Sequence, residues 1–441
     1  MELILDHLGV AAAGAREDSS LPARRLLARV GSTGVATVIG AGVTTSASWA
    51  ALANGTAAHA IEMDDCTRAS SLHPGVVVIP AAIAVAEEVG ASPIAMLEAV
   101  VAGYEITMRV GAALDPASAY RRGFHPTGVA GVFGATIAAG RLFGLDATQL
   151  THALGIAGTM ASGSLEYLSD GAWTKRLNPG WAGHAGIVAA LLAAGGFTGP
   201  ASVLEGRLGL LRAYSDNGSP AGLVAELGGV PKIMEVAIKP YGCCRYVHGS
   251  VDAMLELRTR EAFRPEDVTR IELGILSVGY LLVAEPIERK QSPQSQVEAQ
   301  FSAPFAAAVT LVHGRAGTRE FSGANLADER IIRLMSVTTC HRDTALDDAY
   351  PASLPATARV WLRDGRCMET RVDFPLGEPE RPLSSSQLSA RFIELGGRLI
   401  GEDVAAALAP RFLALDAEEV LGPLLAPFKA EHVDRTTATP L

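Results

Sequence analysis

The sequence predicts a mainly α protein with a large all-helical domain followed by a smaller α+β one. Two observations carry this. Up to about Val236, apolar runs of helical length and period alternate with short Gly and Pro breaks, and strand signals are nearly absent. Beyond that point, β-branched alternation and a turn signal enter between further helical runs. The 441 residues suffice for two domains, and 49% hydrophobic against 19% charged residues predicts a large buried core.

In chain order, Ser46 opens a helical segment, SASWAALANGTAAHAIEMDD, that runs up to three carboxylates. The runs AMLEAVVAGYEITMRVGAAL, GVAGVFGATIAAGRLFGL, ATQLTHALGIAGTMASG and AGHAGIVAALLAAGGF complete the helical part, their small residues suited to close packing. In the second part, VTRIELGILSV and IIRLMSVTTC read as strands. ATARVWLRDGRCMETRVDF reads as a hairpin turning at Asp364-Gly365. VHGSVDAMLELRTR and VEAQFSAPFAAAVTLVHG are helical between them. LGEPERPLSSSQ is a break, AEEVLGPLLAPFKAEH is helical again, and the tail DRTTATPL is expected to fray.

Composition excludes several function classes. A net charge of -10 without a Lys/Arg run argues against nucleic acid or an anionic membrane as partner. The longest apolar runs fall short of the roughly 20 residues of a membrane span. The start, MELILDHLGVAAAGAREDS, has no cationic head of a secretory signal. Five cysteines, Cys66, Cys243, Cys244, Cys340 and Cys367, form no zinc or disulfide pattern, so reduced thiols in a cytoplasm are expected.

The densest polar stretch is NGTAAHAIEMDDCTRASSLHPG, Asn54 to Gly75, which sets Glu62, Asp64 and Asp65 beside two histidines in apolar surroundings. At a helix C-terminus the dipole disfavours negative charge, so another interaction must hold these carboxylates. His73 precedes Pro74-Gly75 and an apolar run, which puts it at or just before a helix N-terminus, where an imidazole tends to be neutral. The device recurs at Tyr120-Arg121-Arg122-Gly123-Phe124-His125-Pro126. Two such histidines could exchange protons with a bound anion, although an isolated His-Pro also serves as a simple cap.

Lys175, in the polar break SDGAWTKRLNPGW, and Lys239, in AIKPYGCCRYVH at the domain junction, are candidates for binding carboxylates; the competing assignment of each is a solvated lysine. A competing use of His59, Glu62, Asp64, Asp65 and His73 is metal binding, but no second spaced pair completes a known ligand signature. Glu105 and Arg109, at i and i+4, read as a structural ion pair. Gly40 and Gly42 lack the rest of a dinucleotide fingerprint and are assigned to a turn.

Taken in order, NG-x-x-x-H-x-x-E-x-DD with HPG, then Y-x-x-GFHPTG, TKRLNPGWAGHAG, KPYGCCRYVH and EAQFSAPFA resemble the MmgE/PrpD family over almost the full chain. Members of that family dehydrate 2-methylcitrate, decarboxylate cis-aconitate or epimerise iminodisuccinate. The resemblance implies an all-helical domain over residues 1–235 with 413–441, and an α+β lid domain over 236–412. It further implies a homodimer, a pocket between the domains, and no metal or organic cofactor. It implies a small di- or tricarboxylate substrate, with His73 and His125 transferring protons and Lys175 and Lys239 holding carboxylates or stabilising charge. Glu62, Asp65, Cys66, Tyr120 and Phe305 would line the pocket. Glu62 stands where dehydratase and decarboxylase members carry Asp, Cys66 where Thr is frequent, and Phe305 where the decarboxylase has Tyr. A lyase is the leading expectation, with an epimerase in the same pocket or a non-catalytic carboxylate-binding protein as alternatives.

Overall fold

A computed structural model describes residues 1–431; the tail expected to fray lies outside the described residues. The protein is mainly α, and its chain divides into two compact units. The first comprises Met1–Glu166, Trp173–Met234 and the chain from Ser384 onward; the second comprises Tyr167–Ala172 and Glu235–Leu383.

The first unit is built on the helices Glu2–Gly14, Ala47–Ala58, Gly75–Val89, Pro93–Ala113, Pro126–Leu142, Ala147–Met160 and Thr174–Ala194. Their starts follow local chemistry. Ser92 accepts the Ala95 N–H ahead of Pro93, and Asp146 with Gln149 closes a capping box. The helix Pro126–Leu142 packs against both Pro93–Ala113 and Thr174–Ala194, and Ala47–Ala58 packs against Thr174–Ala194. Small residues permit these crossings: a Cβ on Gly55 would stand 2.8 Å from the Val76 carbonyl oxygen and 2.9 Å from the Gly180 Cα. A two-strand ribbon, β1 (Ala36–Thr37) with β2 (Thr44–Thr45), interrupts the helices, and Gly40 and Gly42 turn it with φ of 73° and 68°.

Several expectations are corrected here. The helix opened by Ser46 ends at Ala58, before the carboxylates, with His59 as its C-cap. Lys175 lies in the first turn of Thr174–Ala194 rather than in a break, because Pro179 is accommodated inside that helix. The C-terminal run is only the short helix Gly422–Leu425 and a 3-10 turn, Ala426–Lys429, since Pro423 and Pro427 interrupt it. The boundary expected at residue 413 moves to 384. The helix Ser385–Ile400 lays Leu388, Phe392 and Leu395 toward Glu2–Gly14, and Arg391 pairs with Asp6 at 2.6 Å.

The second unit contains a four-stranded sheet of β3 (Val268–Ile275), β4 (Thr338–Arg342), β5 (Ala356–Leu362) and β6 (Cys367–Val372) in the order β4-β3-β5-β6. β3 and β4 run parallel, and the other pairs are antiparallel. The β5–β6 hairpin turns at Asp364-Gly365, where Gly365 has φ 89°. Leu257, Ile271, Phe305 and Val360 belong to this unit's apolar core. IIRLMS, read as a strand, is helical within Glu329–Ser336: Asp328 caps it, and Ile331, Leu334 and Met335 bury one face.

Gly55→Val places side-chain atoms against two backbones, and is expected to cost about 1–3 kcal/mol. Thermal unfolding measures this; an unchanged Tm would refute the tight crossing.

Candidate functional site

Between Ala58 and Gly75 the chain leaves one helix and enters another through an irregular turn. Glu62 has φ 57° there, a left-handed conformation that costs a non-Gly residue roughly 1–2 kcal/mol. Its carboxylate pairs with the Lys175 ammonium, both side chains being nearly inaccessible to solvent. Two residues on, Asp64 Oδ2 lies 2.8 Å from His59 Nδ1 and 3.0 Å from His73 Nδ1. The next residue, Asp65, accepts the Gly75 N–H at 2.9 Å and the Tyr104 hydroxyl at 2.7 Å. The carboxylates thus escape the C-terminus of Ala47–Ala58. Asp65 meets the first residue of one following helix, and Glu62 meets the first turn of another, where the dipole favours its negative charge.

These contacts assign the imidazole tautomers. His73 Nδ1 lies 2.8 Å from the Asp65 carbonyl oxygen, which only accepts, so Nδ1 carries the proton and Nε2 is the basic nitrogen. The His73 backbone N–H donates to Thr127 Oγ1 at 3.2 Å, tying it to the start of Pro126–Leu142. His125 is the N-cap of that same helix. Asn178 Nδ2, which only donates, lies 3.1 Å from His125 Nδ1; that nitrogen therefore accepts and the proton sits on Nε2. The two histidines are held in opposite tautomers, one offering a lone pair at Nε2 and the other an N–H. Their rings flank His59, with centroids 5.0 Å (His73) and 5.9 Å (His125) away.

Burial governs the electrostatics. It holds His125 well below the usual imidazole range, helped by the nearby His59, Lys175 and His73, and it lowers His59 against the opposing pull of Asp64. Asp65 is pushed up to about 7 by burial, although the Tyr104 and Gly75 hydrogen bonds oppose the shift. His59, Asp64 and His73, three of the five residues weighed from sequence as a metal site, bring their ligand atoms within 4.8 Å of one another. The proton that the Asp65 carbonyl requires on His73 Nδ1 suits this arrangement to hydrogen bonding, because a protonated nitrogen does not ligate a cation.

Of the residues singled out in the sequence, the first unit brings together Glu62, Asp65, His73, His125 and Lys175. Cys66 is buried directly after Asp65, and Tyr120 donates its hydroxyl to the Ser71 carbonyl at 3.1 Å, two residues before His73. Lys239 and Phe305 belong to the second unit. Both are buried there, with the Phe305 ring 5.6 Å from Phe321. Sequence reasoning missed Asn178, Thr127 and Tyr104, and gave His59 and Asp64 only to the metal alternative. Asn178 stood inside the TKRLNPGW motif, but nothing in its spacing told of a histidine 53 residues away.

The Asp65 shift has a definite sign. Between its unfolded value near 3.8 and about 7, the folded state holds a proton that the unfolded chain releases. The stability contributed by Asp65 is fully present below that window and is lost as pH rises through about 7. Asp65→Asn should therefore gain stability relative to wild type between pH 5 and pH 8 in urea unfolding; the same difference at both pH values would contradict the buried, protonated carboxyl.

The MmgE/PrpD N-terminal domain model matches residues 1–222, and the MmgE/PrpD C-terminal domain model matches residues 241–413. Cis-aconitate decarboxylase of Aspergillus terreus is 28% identical over 96% of this chain and 89% of its own length. The cis-aconitate decarboxylase-like protein oryM of Aspergillus oryzae is 27% identical over 97% and 92%. Human cis-aconitate decarboxylase is 28% identical over 82% of this chain and 75% of its own. With the two domain models matching most of the sequence, the chain belongs to the MmgE/PrpD family.

Proposed function

We propose that this protein is a decarboxylase- or dehydratase-type lyase acting on a small di- or tricarboxylate by proton transfer at the carbon beside a carboxylate. The observation that carries the reading is the pair of histidines in opposite tautomers, together with a buried lysine in the same unit. The relatives named cis-aconitate decarboxylase support the substrate class.

In a dehydration, His73 Nε2 takes the proton from the carbon next to the carboxylate. The electron pair moves into an enolate-like system, the His125 Nε2–H protonates the departing hydroxyl as water, and the proton held by His73 is passed back to His125 to restore both neutral rings. In a decarboxylation, carbon dioxide leaves without its bonding pair, the same enolate-like charge develops, and His125 gives its Nε2 proton to carbon and takes a replacement from solvent. Lys175 stabilises that charge in either case, from a buried position where an ammonium acts strongly. The base-and-acid pair also favours a second reading, an epimerase that removes a proton on one face and restores it on the other. A homodimer, a cytoplasmic location, a lid role for the second unit and carboxylate binding by Lys239 belong to the same proposal. No helix among the described residues is long and apolar enough to cross a membrane.

Turnover of citrate, methylcitrate, aconitate and iminodisuccinate, followed with proton exchange in deuterated water, tests the reading. Loss of water or carbon dioxide supports the lyase, exchange without net loss supports the epimerase, and carboxylate binding without either would leave a non-catalytic protein. His73→Gln should lower turnover at least about a hundredfold with unfolding little changed. Lys175→Ala removes the buried ammonium that pairs with the Glu62 carboxylate and should also destabilise the fold by about 3–5 kcal/mol. The double change Glu62→Gln with Lys175→Met removes both charges, so it should unfold near wild type while turnover still falls at least about a hundredfold. Full activity in that double variant would eliminate Lys175 from the mechanism.

A further inference from the structure

His59 is completely buried at the C-cap of Ala47–Ala58, between the two histidines assigned to proton transfer, yet that chemistry gives it no step. Its Nδ1 lies 2.8 Å from Asp64 Oδ2, the oxygen that stands 3.0 Å from His73 Nδ1. Its other nitrogen, Nε2, is buried with no hydrogen-bond partner among the described residues. A ring nitrogen left in that state costs about 1–3 kcal/mol. Its flat ring lies nearly parallel to His125, 20° between planes at a centroid distance of 5.9 Å.

From this geometry we infer that His59 is a positioning residue for the proposed reaction. Its Nδ1–H anchors Asp64 so that the shared oxygen joins the Asp65 carbonyl in holding the His73 Nδ1–H and the ring's orientation, leaving Nε2 basic, while its ring supports the His125 imidazole. The bond that matters is His59 Nδ1–H to Asp64 Oδ2, and it acts on substrate only through His73. The assignment rests on the lyase or epimerase reading for its catalytic consequence, but its tautomers are observable without any turnover.

The test has two arms. In wild-type protein with 15N-labelled histidine, imidazole 15N shifts should show His59 and His73 protonated on Nδ1 and His125 on Nε2. His59→Leu keeps bulk and removes the donor, and should lower kcat by about 10- to 100-fold with KM within about twofold, as the Asp64 carboxylate loses its anchor and the His73 ring loses the second acceptor that orients it. His59→Asn restores a donor at the Nδ1 position and should recover most of that loss. A His59 protonated on Nε2 in the wild type, wild-type kcat in His59→Leu, or a His59→Asn no better than His59→Leu would each overturn the proposal. If His59→Leu does not fold, the wild-type tautomers and His59→Asn kinetics decide. Wild-type protein that turns over and exchanges none of the acids, yet shows the stated tautomers, would defeat the lyase and epimerase readings while supporting the His59–Asp64–His73 arrangement.

Discussion

A single carboxyl oxygen, Asp64 Oδ2, stands within hydrogen-bond reach of two imidazoles, and the arrangement of the site follows from that sharing. An oxygen can serve both rings only if His59 and His73, fourteen positions apart, are brought to one point. The chain does this by stopping a helix at Ala58, passing Glu62 through a left-handed conformation and restarting as a helix at Gly75. Buried partners hold the strained turn: Lys175 against Glu62, and Tyr104 with the Gly75 N–H against Asp65. Strain of this kind persists where the surroundings over-determine it.

Helix packing places those partners. The starts of Gly75–Val89, Pro126–Leu142 and Thr174–Ala194 contribute the Gly75 N–H, His125, and Lys175 with Asn178, and these helices pack upon one another. Glycines such as Gly55 and Gly180 let neighbouring backbones approach to distances that a Cβ would forbid. A composition rich in small residues therefore serves the site as well as the core. Burial in turn makes each polar group costly unless matched, so Glu62 is paired and Asp65 keeps its proton up to about pH 7.

Burial also separates the roles of chemically similar groups. His73 and His125 both flank helix starts, yet an Asp65 carbonyl beside one Nδ1 and an Asn178 amide beside the other make the first ring a proton acceptor at Nε2 and the second a donor. Asp64 and Asp65 are adjacent in sequence, but one addresses two imidazoles and the other a phenol and a helix N–H. Adjacent carboxyls acquire distinct work because each points toward a different helix.

Local signals in the sequence sufficed for the helical first part, the β5–β6 hairpin at Asp364-Gly365, the ion pair of Glu105 with Arg109, and the family, through motifs of contiguous residues. Period, turn chemistry and short-range spacing depend only on neighbours, so one strand of text reveals them. It misread IIRLMS because a β-branched pair occurs in both helix and strand, and it overran Ala58 because nothing local marks a helix end at His59. The placing of Ser385–Ile400 against Glu2–Gly14 was decided only in three dimensions, as were the tautomers of His73 and His125 and the use of His59 and Asp64 as hydrogen-bonding groups. A proton's position on a ring depends on which atom stands opposite it, and those atoms arrive from residues up to 53 positions away.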